Sequence, residues 1–219
     1  MVYTKGSLPT RILLTLGMTT MIRSLYLGPK YDLTEMEGDT VNSMQVAKLL
    51  KQRKVVAVFQ GRSEAGPRAL GNRSILYDPT DPEGKDKINR IKKRESFRPF
   101  AGSVLLPHAH KWFDMAGLDE SPFMMYAVDA LPHTYDKIPA VLHVDKTCRV
   151  QTVDMKDNLH YYQLIDAFYQ ITDVPMLFNT SFNMAGEPLV ETPEDAINTF
   201  ENSEIDYLYF PEVHKLRQK

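Results

Sequence analysis

Residues 61–74 read Gly-Arg-Ser-Glu-Ala-Gly-Pro-Arg-Ala-Leu-Gly-Asn-Arg-Ser, with three glycines and three arginines in one short segment. Glycine lets backbone N–H groups come close to an anion, and arginine offers a planar fork of donors that matches phosphate or carboxylate oxygens. Gly61, Arg62, Arg68, Gly71, Asn72 and Arg73 are therefore candidates for holding an anion. The competing reading is a surface network in which Glu64 and Asp78 neutralise the arginines. The segment is not a P-loop, because the Gly-x-x-x-x-Gly-Lys-Ser/Thr spacing is absent.

Two further clusters carry the same chemistry. Residues 92–98 read Lys-Lys-Arg-Glu-Ser-Phe-Arg, so Arg94 and Arg98 share one face if the preceding helix continues that far; a solvated basic face is the alternative. Residues 179–187 hold Asn179, Thr180, Ser181, Asn183, Gly186 and Glu187, several small hydrogen-bonding groups in one turn, although Asn-rich turns are common. Arg149 lies in residues 143–153, where alternation puts His143, Asp145, Thr147, Arg149 and Gln151 on one strand face. Such a face is either exposed or turned toward a ligand. His108 and His110 lack a third nearby ligand and make a poor metal site.

The elements that must position these groups alternate between helical and strand patterns. Residues 42–54 predict a helix with Val46, Leu49 and Leu50 inward, followed by a buried strand at 55–59 that opens into the arginine loop, 60–74. A helix is expected at 86–94 with Ile88 and Ile91 inward, a strand at 101–106, and a strand-like stretch at 140–153. A helix at 161–171 precedes a strand at 175–178 that opens into the polar turn. Thr192-Pro193-Glu194-Asp195 is a helix start, with Thr192 as N-cap and Pro193 in the first turn, and a strand closes the chain at 205–210. This order predicts an α/β or α+β class with a mixed sheet.

Composition narrows the setting. The 219 residues, 43% hydrophobic, suffice for one substantial core, and a net charge of −2 supplies no global field for nucleic acid or an anionic membrane. Any anion site must be local. A single cysteine, Cys148, excludes an intrachain disulfide and fits a reducing compartment. The apolar run at 12–21 is too short to span a bilayer, and residues 1–27 make a poor secretory signal, so a cytoplasmic protein with no membrane partner is expected.

Taken together, the strings resemble the nodulation and antibiotic O-carbamoyltransferase family. They are Gly-Arg-x-Glu-x-Gly-Pro-Arg-Ala-Leu-Gly-Asn-Arg-Ser-Ile-Leu at 61–76, Ile-Lys-Lys-Arg-Glu-Ser-Phe-Arg-Pro-Phe-Ala at 91–101, Ser-Pro-Phe-Met at 121–124, residues 143–153, and Asn-Thr-Ser-Phe-Asn at 179–183 with Gly-Glu-Pro at 186–188. The resemblance places a carboxy-terminal, YrdC-like domain at 33–219, after a leader or junction at 1–32, and implies a twisted mixed sheet flanked by helices around a cationic concave site. The YrdC signatures Lys-x-Arg and Ser-x-Asn map onto Lys92 with Arg94 and Ser181 with Asn183, and Arg149 falls where YrdC proteins carry a further arginine.

By that resemblance the domain converts carbamoyl phosphate and ATP, with Mg2+, to carbamoyl-adenylate. Lys92, Arg94, Arg149, Ser181 and Asn183 act at the reacting groups. Gly61, Arg62, Glu64, Arg68, Gly71, Asn72, Arg73, Arg98, Asn179, Thr180 and Gly186 bind the nucleotide. Complete family members also carry an actin-like ATPase-fold domain that binds iron and transfers the carbamoyl group to a hydroxyl; here it would be a separately encoded partner. The alternatives are a non-catalytic module that binds a nucleotide, or RNA on the basic rim, and a truncated inactive fragment. Lys146 and Asp173 stand where glycine is usual and Gly102 where proline is common; Lys146 would strain its turn if that position requires φ > 0.

Overall fold

A computed structural model describes residues 25–219. Helix α1, Ser43–Lys51, starts at a reciprocal cap: the Asn42 side chain accepts from the Gln45 N–H at 3.0 Å, and the Gln45 side chain accepts from the Asn42 N–H at 2.9 Å. Its buried face is Val46, Ala47 and Leu50, with Leu49 packed at the margin. After strand β1, Asp39–Thr40, and this helix come β2, Val56–Phe59, and β3, Arg73–Tyr77, antiparallel to one another and buried along their whole length.

The remaining elements are α2, Gly84–Ile91; β4, Ala101–Leu105; α3, Ala109–Trp112; β5, Phe113–Asp114; and β6, Tyr126–Ala130. Then follow β7, Thr147–Val153; α4, Leu159–Thr172; β8, Met176–Ser181; α5, Pro193–Glu201; β9, Tyr207–Phe210; and β10, Lys215–Gln218. The expected Thr192 cap is present, its side chain accepting from the Asp195 N–H at 3.1 Å.

All ten strands join one open sheet in the order β1-β10-β9-β2-β3-β8-β4-β7-β6-β5. The β2/β9 and β4/β7 pairs are parallel and the rest antiparallel, so the predicted mixed α/β sheet is observed. The central strands β2, β3 and β4 are buried throughout because both faces are covered, and α1 packs against α4 over one of them. Register sets the polar positions: Arg149, Ala101 and Asn179 stand in one row across β7, β4 and β8, and Gln151, Ser103 and Leu177 in the next on the same face.

Four expectations need correction. The arginine loop ends at Asn72, because Arg73 and Ser74 pair with Phe59 and Val58 as the start of β3. Helix α2 stops at Ile91, Lys93 takes a left-handed φ of 53°, and Arg94 and Arg98 therefore lie on a loop rather than one helical face. The strand expected at 140–153 begins only at Thr147; residues before it form a turn in which Asp145 Oδ1 accepts from the Thr147 N–H and hydroxyl and His143 Nδ1 lies 2.9 Å from the same hydroxyl. His143, Asp145 and Thr147 thus satisfy one another locally instead of facing a ligand. Strands β1, β3, β5, β6 and β10 were not expected from the sequence.

The leader expected at 1–32 falls partly outside the described residues. Its last part is built into the domain: the Ala65 N–H donates to the Leu25 carbonyl at 2.8 Å, the Gly28 N–H to the Ser63 carbonyl at 3.3 Å, and Leu25 packs with Leu70, Ala101 and Met124. A boundary at 32 therefore does not match a break in packing.

Candidate active site

A cleft of about 580 Å³ opens between the end of α2 and the turn after β8, lined by Lys92, Lys93, Arg94, Glu95, Arg98, Ser181, Asn183, Met184, Ala185 and Gly186. The two walls are tied together where the Ala185 N–H donates to the Lys92 carbonyl at 3.1 Å. Six of the residues singled out in the sequence meet here: Lys92, Arg94, Arg98, Ser181, Asn183 and Gly186.

Lys92 is 3% exposed, yet its ammonium has partners on every side. It donates to the Ser181 carbonyl, to the Asn183 carbonyl at 2.8 Å and to Asn183 Oδ1 at 3.1 Å, with Ser181 Oγ at 3.4 Å. The Ser181 hydroxyl donates in turn to Asn183 Oδ1 at 2.7 Å, and Asn183 Nδ2 to the Glu187 carbonyl at 2.8 Å. Burial, and then the neighbouring Arg94, pull the amine down to about 7 against the opposing pull of Glu187. The oxygens around it favour the protonated form, so this lysine sits where a small change in local charge decides its state.

Arg94 lies over the Phe100 ring, its Cζ 4.2 Å from the centroid, while its Nε donates to Asn89 Oδ1 at 2.6 Å. Burial first, then repulsion from Arg98 and Arg149, lower its guanidinium to about 10. Asn89, 1% exposed, also donates to the carbonyls of Ser96 and Arg98 and so pins the whole 94–98 segment. Sequence reasoning missed Asn89; its one signal was an amide on the inward side of an amphipathic helix, beside Ile88.

Arg149 and Arg68 stand beyond Arg94. Burial, and then the closeness of Arg68, lower the Arg149 guanidinium, and each arginine has a buried Nε without a hydrogen-bond partner among the described residues. Arg94 has a buried terminal nitrogen in the same condition. The neutralising network that competed with an anion site is not formed. Glu64 accepts from three backbone N–H groups, Asp78 accepts from the Thr80 N–H at 2.8 Å, and among the described residues the ion pairs use Lys30, Arg53, Lys54, Arg98 and Arg217. Among the described residues, Arg98 alone of the cleft arginines forms an ion pair, with Glu95 at 2.7 Å.

The other expected residues are not brought to the cleft. Arg73 is wholly buried, stacked 3.6 Å over Phe59, and donates to the carbonyls of Gln60, Asn72, Gly61 and Glu191; it holds the sheet end and its loops together, not a ligand. Arg62 donates to the Gly28 carbonyl at 2.8 Å. Gly61 donates to Glu212 Oε2 at 2.7 Å, and Asn72 bridges the Arg62 carbonyl and Asn158. Gly71 is required by packing: a Cβ there would stand 2.2 Å from Tyr161 Cδ1, at φ 108°. Asn179, 1% exposed, donates to the Ala69 carbonyl and Ser103, and Thr180 sits half-buried on β8 opposite Ile75. Cys148 is buried and its thiol pushed up to about 12 by desolvation, as suits a packing residue. Among the described residues no group of three or more His, Cys, Asp or Glu could hold a metal ion, and no helix is long and apolar enough to cross a membrane.

Comparison with known proteins bears on this arrangement. Residues 47–216 match the family model described as Carbamoyltransferase C-terminus. The sequence is 48% identical over 156 residues to the nodulation protein NolO of Bradyrhizobium diazoefficiens, covering 70% of this chain and 28% of NolO. It is 46% identical to the nodulation protein NolNO of Sinorhizobium fredii over 75% of this chain and 24% of that protein, and 34% identical to nodulation protein U of Rhizobium tropici over 88% and 33%. The chain thus spans 24–33% of the length of these relatives.

Among solved structures, full-length HypF in its phosphate- and nucleotide-bound form superposes with a TM-score of 0.52 at 19% identity, covering 77% of this chain and 27% of HypF. The H234A/Y235A form of P.abyssi Sua5 gives 0.50 at 11% identity, covering 84% and 57%. At such identities the shared property is the fold, the YrdC-like mixed sheet expected from the sequence.

Proposed function

The chain belongs to the carbamoyltransferase C-terminus family, and on that footing we propose that its cleft gathers ATP and carbamoyl phosphate and forms carbamoyl-adenylate. The observation that carries the reading is the run of cations from Lys92 through Arg94 and Arg149 to Arg68, in which the three arginines each keep a buried nitrogen unpartnered and none of the three is in an ion pair among the described residues. Like charges held this close repel, and a polyanion resolves the conflict. HypF, which shares the fold, has been seen with phosphate and nucleotide bound.

In the proposed reaction a carbamate oxygen bonds to the α-phosphorus of ATP and pyrophosphate leaves. The phosphoryl group of carbamoyl phosphate departs as inorganic phosphate with an oxygen from water. No protein nucleophile is needed, so catalysis rests on positioning and on cations that meet the charge developing on phosphoryl oxygens. Lys92, Arg94 and Arg149 hold those oxygens, with Arg68 beside Arg149 and Arg98 at the mouth. Ser181 and Asn183, already locked to Lys92, orient the carbamoyl or adenylate group. Gly186, with φ 82° and open space where a Cβ would stand, lets its N–H approach the ligand. The carboxylates at hand, Glu95 and Glu187, are engaged by Arg98 and by the Met184 N–H, so the residues do not fit a resident metal ion; Mg2+ enters on the nucleotide. Transfer to a hydroxyl acceptor is assigned to a further, iron-binding domain.

The test is pyrophosphate release by the purified chain with ATP and Mg2+, in the presence and absence of carbamoyl phosphate. Release is expected only with carbamoyl phosphate and should fall at least ~100-fold in Arg94→Ala. Salt-sensitive RNA binding by a folded protein that releases no pyrophosphate would replace this reading with a binding module built on the basic rim.

A further inference from the structure

The structure assigns Glu64 as a positioning residue: we infer that its buried carboxylate holds the 65–70 segment in the one shape that sets Arg68 beside Arg149. The inference rests on the anion-binding reading of the cleft and gives Glu64 a place in it that involves no contact with the ligand.

A single oxygen, Glu64 Oε1, accepts from the Leu70 N–H at 2.8 Å, the Asn72 N–H at 2.7 Å and the Arg73 N–H at 3.1 Å. Three N–H groups converging on one point form the kind of cradle that otherwise takes a free anion. Here the chain fills it with its own carboxylate, six residues before the first donor of the three. Desolvation raises the Glu64 carboxyl and these backbone bonds pull it back down, so its charge depends on the loop being in place. The residue is 7% exposed and its other oxygen, Oε2, is buried, which leaves no surface for a substrate phosphate.

The loop is gripped from its other side as well. The Ala69 carbonyl accepts from Asn179 Nδ2 at 3.1 Å and the Leu70 carbonyl from Gln151 Nε2 at 2.9 Å, while the Gly71 N–H donates to Ser74 Oγ at 2.9 Å. Asn179 and Gln151 stand on the same sheet face as Arg149. N–H groups fastened by Glu64 and carbonyls fastened by the sheet leave the segment between Glu64 and Ala69 as a short arch with Gly66, at φ 120°, and Arg68 on it. The Arg68 guanidinium is half-buried, lies close enough to depress that of Arg149, and keeps a buried Nε unpartnered among the described residues. An arginine facing another arginine drifts away unless its backbone is fixed, and Glu64 is the fixture.

A double-mutant cycle tests this, reading ATP affinity of the full chain by calorimetry at constant salt. Glu64→Ala and Arg68→Ala should each weaken ATP binding by about 10- to 100-fold, and the double variant should be no weaker than Arg68→Ala alone, because Glu64 acts only through Arg68. Glu64→Gln, which keeps an acceptor oxygen, should restore most of the affinity. A residue serving stability alone would lower the melting temperature and leave the cycle additive. Losses that multiply, or a folded Glu64→Ala that binds ATP like the wild type, overturn the assignment. Should Glu64→Ala not fold, Glu64→Asp, one methylene shorter, takes its place in the cycle. Arg94→Ala separates the two claims: a loss there without one in Arg68→Ala defeats the positioning role and leaves the cleft intact, whereas no loss in either variant defeats both.

Discussion

Lys92 makes anion binding a proton-linked event. Its amine is pulled down to about 7 by burial and by Arg94. An anion entering the cleft supplies the negative charge that the site lacks and moves the amine back toward its ordinary value. The bound state therefore holds more protons than the free state, and affinity should rise as pH falls from about 10 to about 7, by up to about tenfold per pH unit, and level off below. At pH 8 a group titrating at about 7 is protonated in about one molecule in ten, so full restoration takes up roughly 0.9 proton per anion bound; at pH 6 the uptake shrinks to roughly 0.1. Arg94, at about 10, stays charged between pH 6 and pH 8 and contributes little to the uptake measured there. Titrating sulfate, which does not itself take up protons near neutral pH, into the protein in buffers of high and low ionisation enthalpy measures the uptake directly. Lys92→Met, which keeps an unbranched side chain one atom shorter and removes the amine, should abolish it. Equal heats in the two buffers at pH 8, or uptake that persists in Lys92→Met, would refute the argument.

Two glycines separate packing from ligand approach. Gly71→Ala would drive a Cβ into Tyr161 at a left-handed backbone, so we expect a loss of about 3 kcal/mol or more, and a melting temperature lower by about 6–12 °C. Gly186→Ala meets nothing within 4 Å and should cost only about 1 kcal/mol while ATP affinity in calorimetry falls about tenfold; unchanged affinity would place the ligand elsewhere. Asp173 ends α4 in the left-handed conformation, at φ 60°, where glycine is the usual residue, so Asp173→Gly should raise the melting temperature by about 2–4 °C for about 1 kcal/mol gained. Lys146 is left-handed too, at φ 65°, but places its ammonium 5.3 Å from the Tyr135 ring centroid, so Lys146→Gly trades relief of about 1 kcal/mol of backbone strain against a contact worth about 0.5 kcal/mol and should shift the melt by less than Asp173→Gly does.

The sequence by itself determined what depends on neighbours a few residues apart. The inward stripe of α1, the Thr192 cap, the strands that run into polar loops, and the closeness of Lys92 to Arg94 and of Ser181 to Asn183 are all local, because helical and strand periods and capping geometry act over one or two turns. Those strings also placed the chain in its family. What only tertiary structure decided is which cations remain free. Arg62, Arg68 and Arg73 are alike in sequence, yet the terminal nitrogens of Arg73 are taken up by four carbonyls while its guanidinium lies over Phe59, Arg62 fastens the segment at Gly28, and Arg68 is held in neither way. Likewise His143, Asp145 and Thr147 looked like a strand face and are a self-satisfied turn, because the chain reverses there before β7 begins. The order of strands brings β7, β4 and β8 side by side and so sets Arg149, Asn179 and Gln151 on one face beneath the arginine loop. A donor's role depends on where its acceptors lie in space, and for these residues the acceptors come from segments roughly 10 to 120 positions away in the chain, a distance over which sequence spacing carries no geometric information.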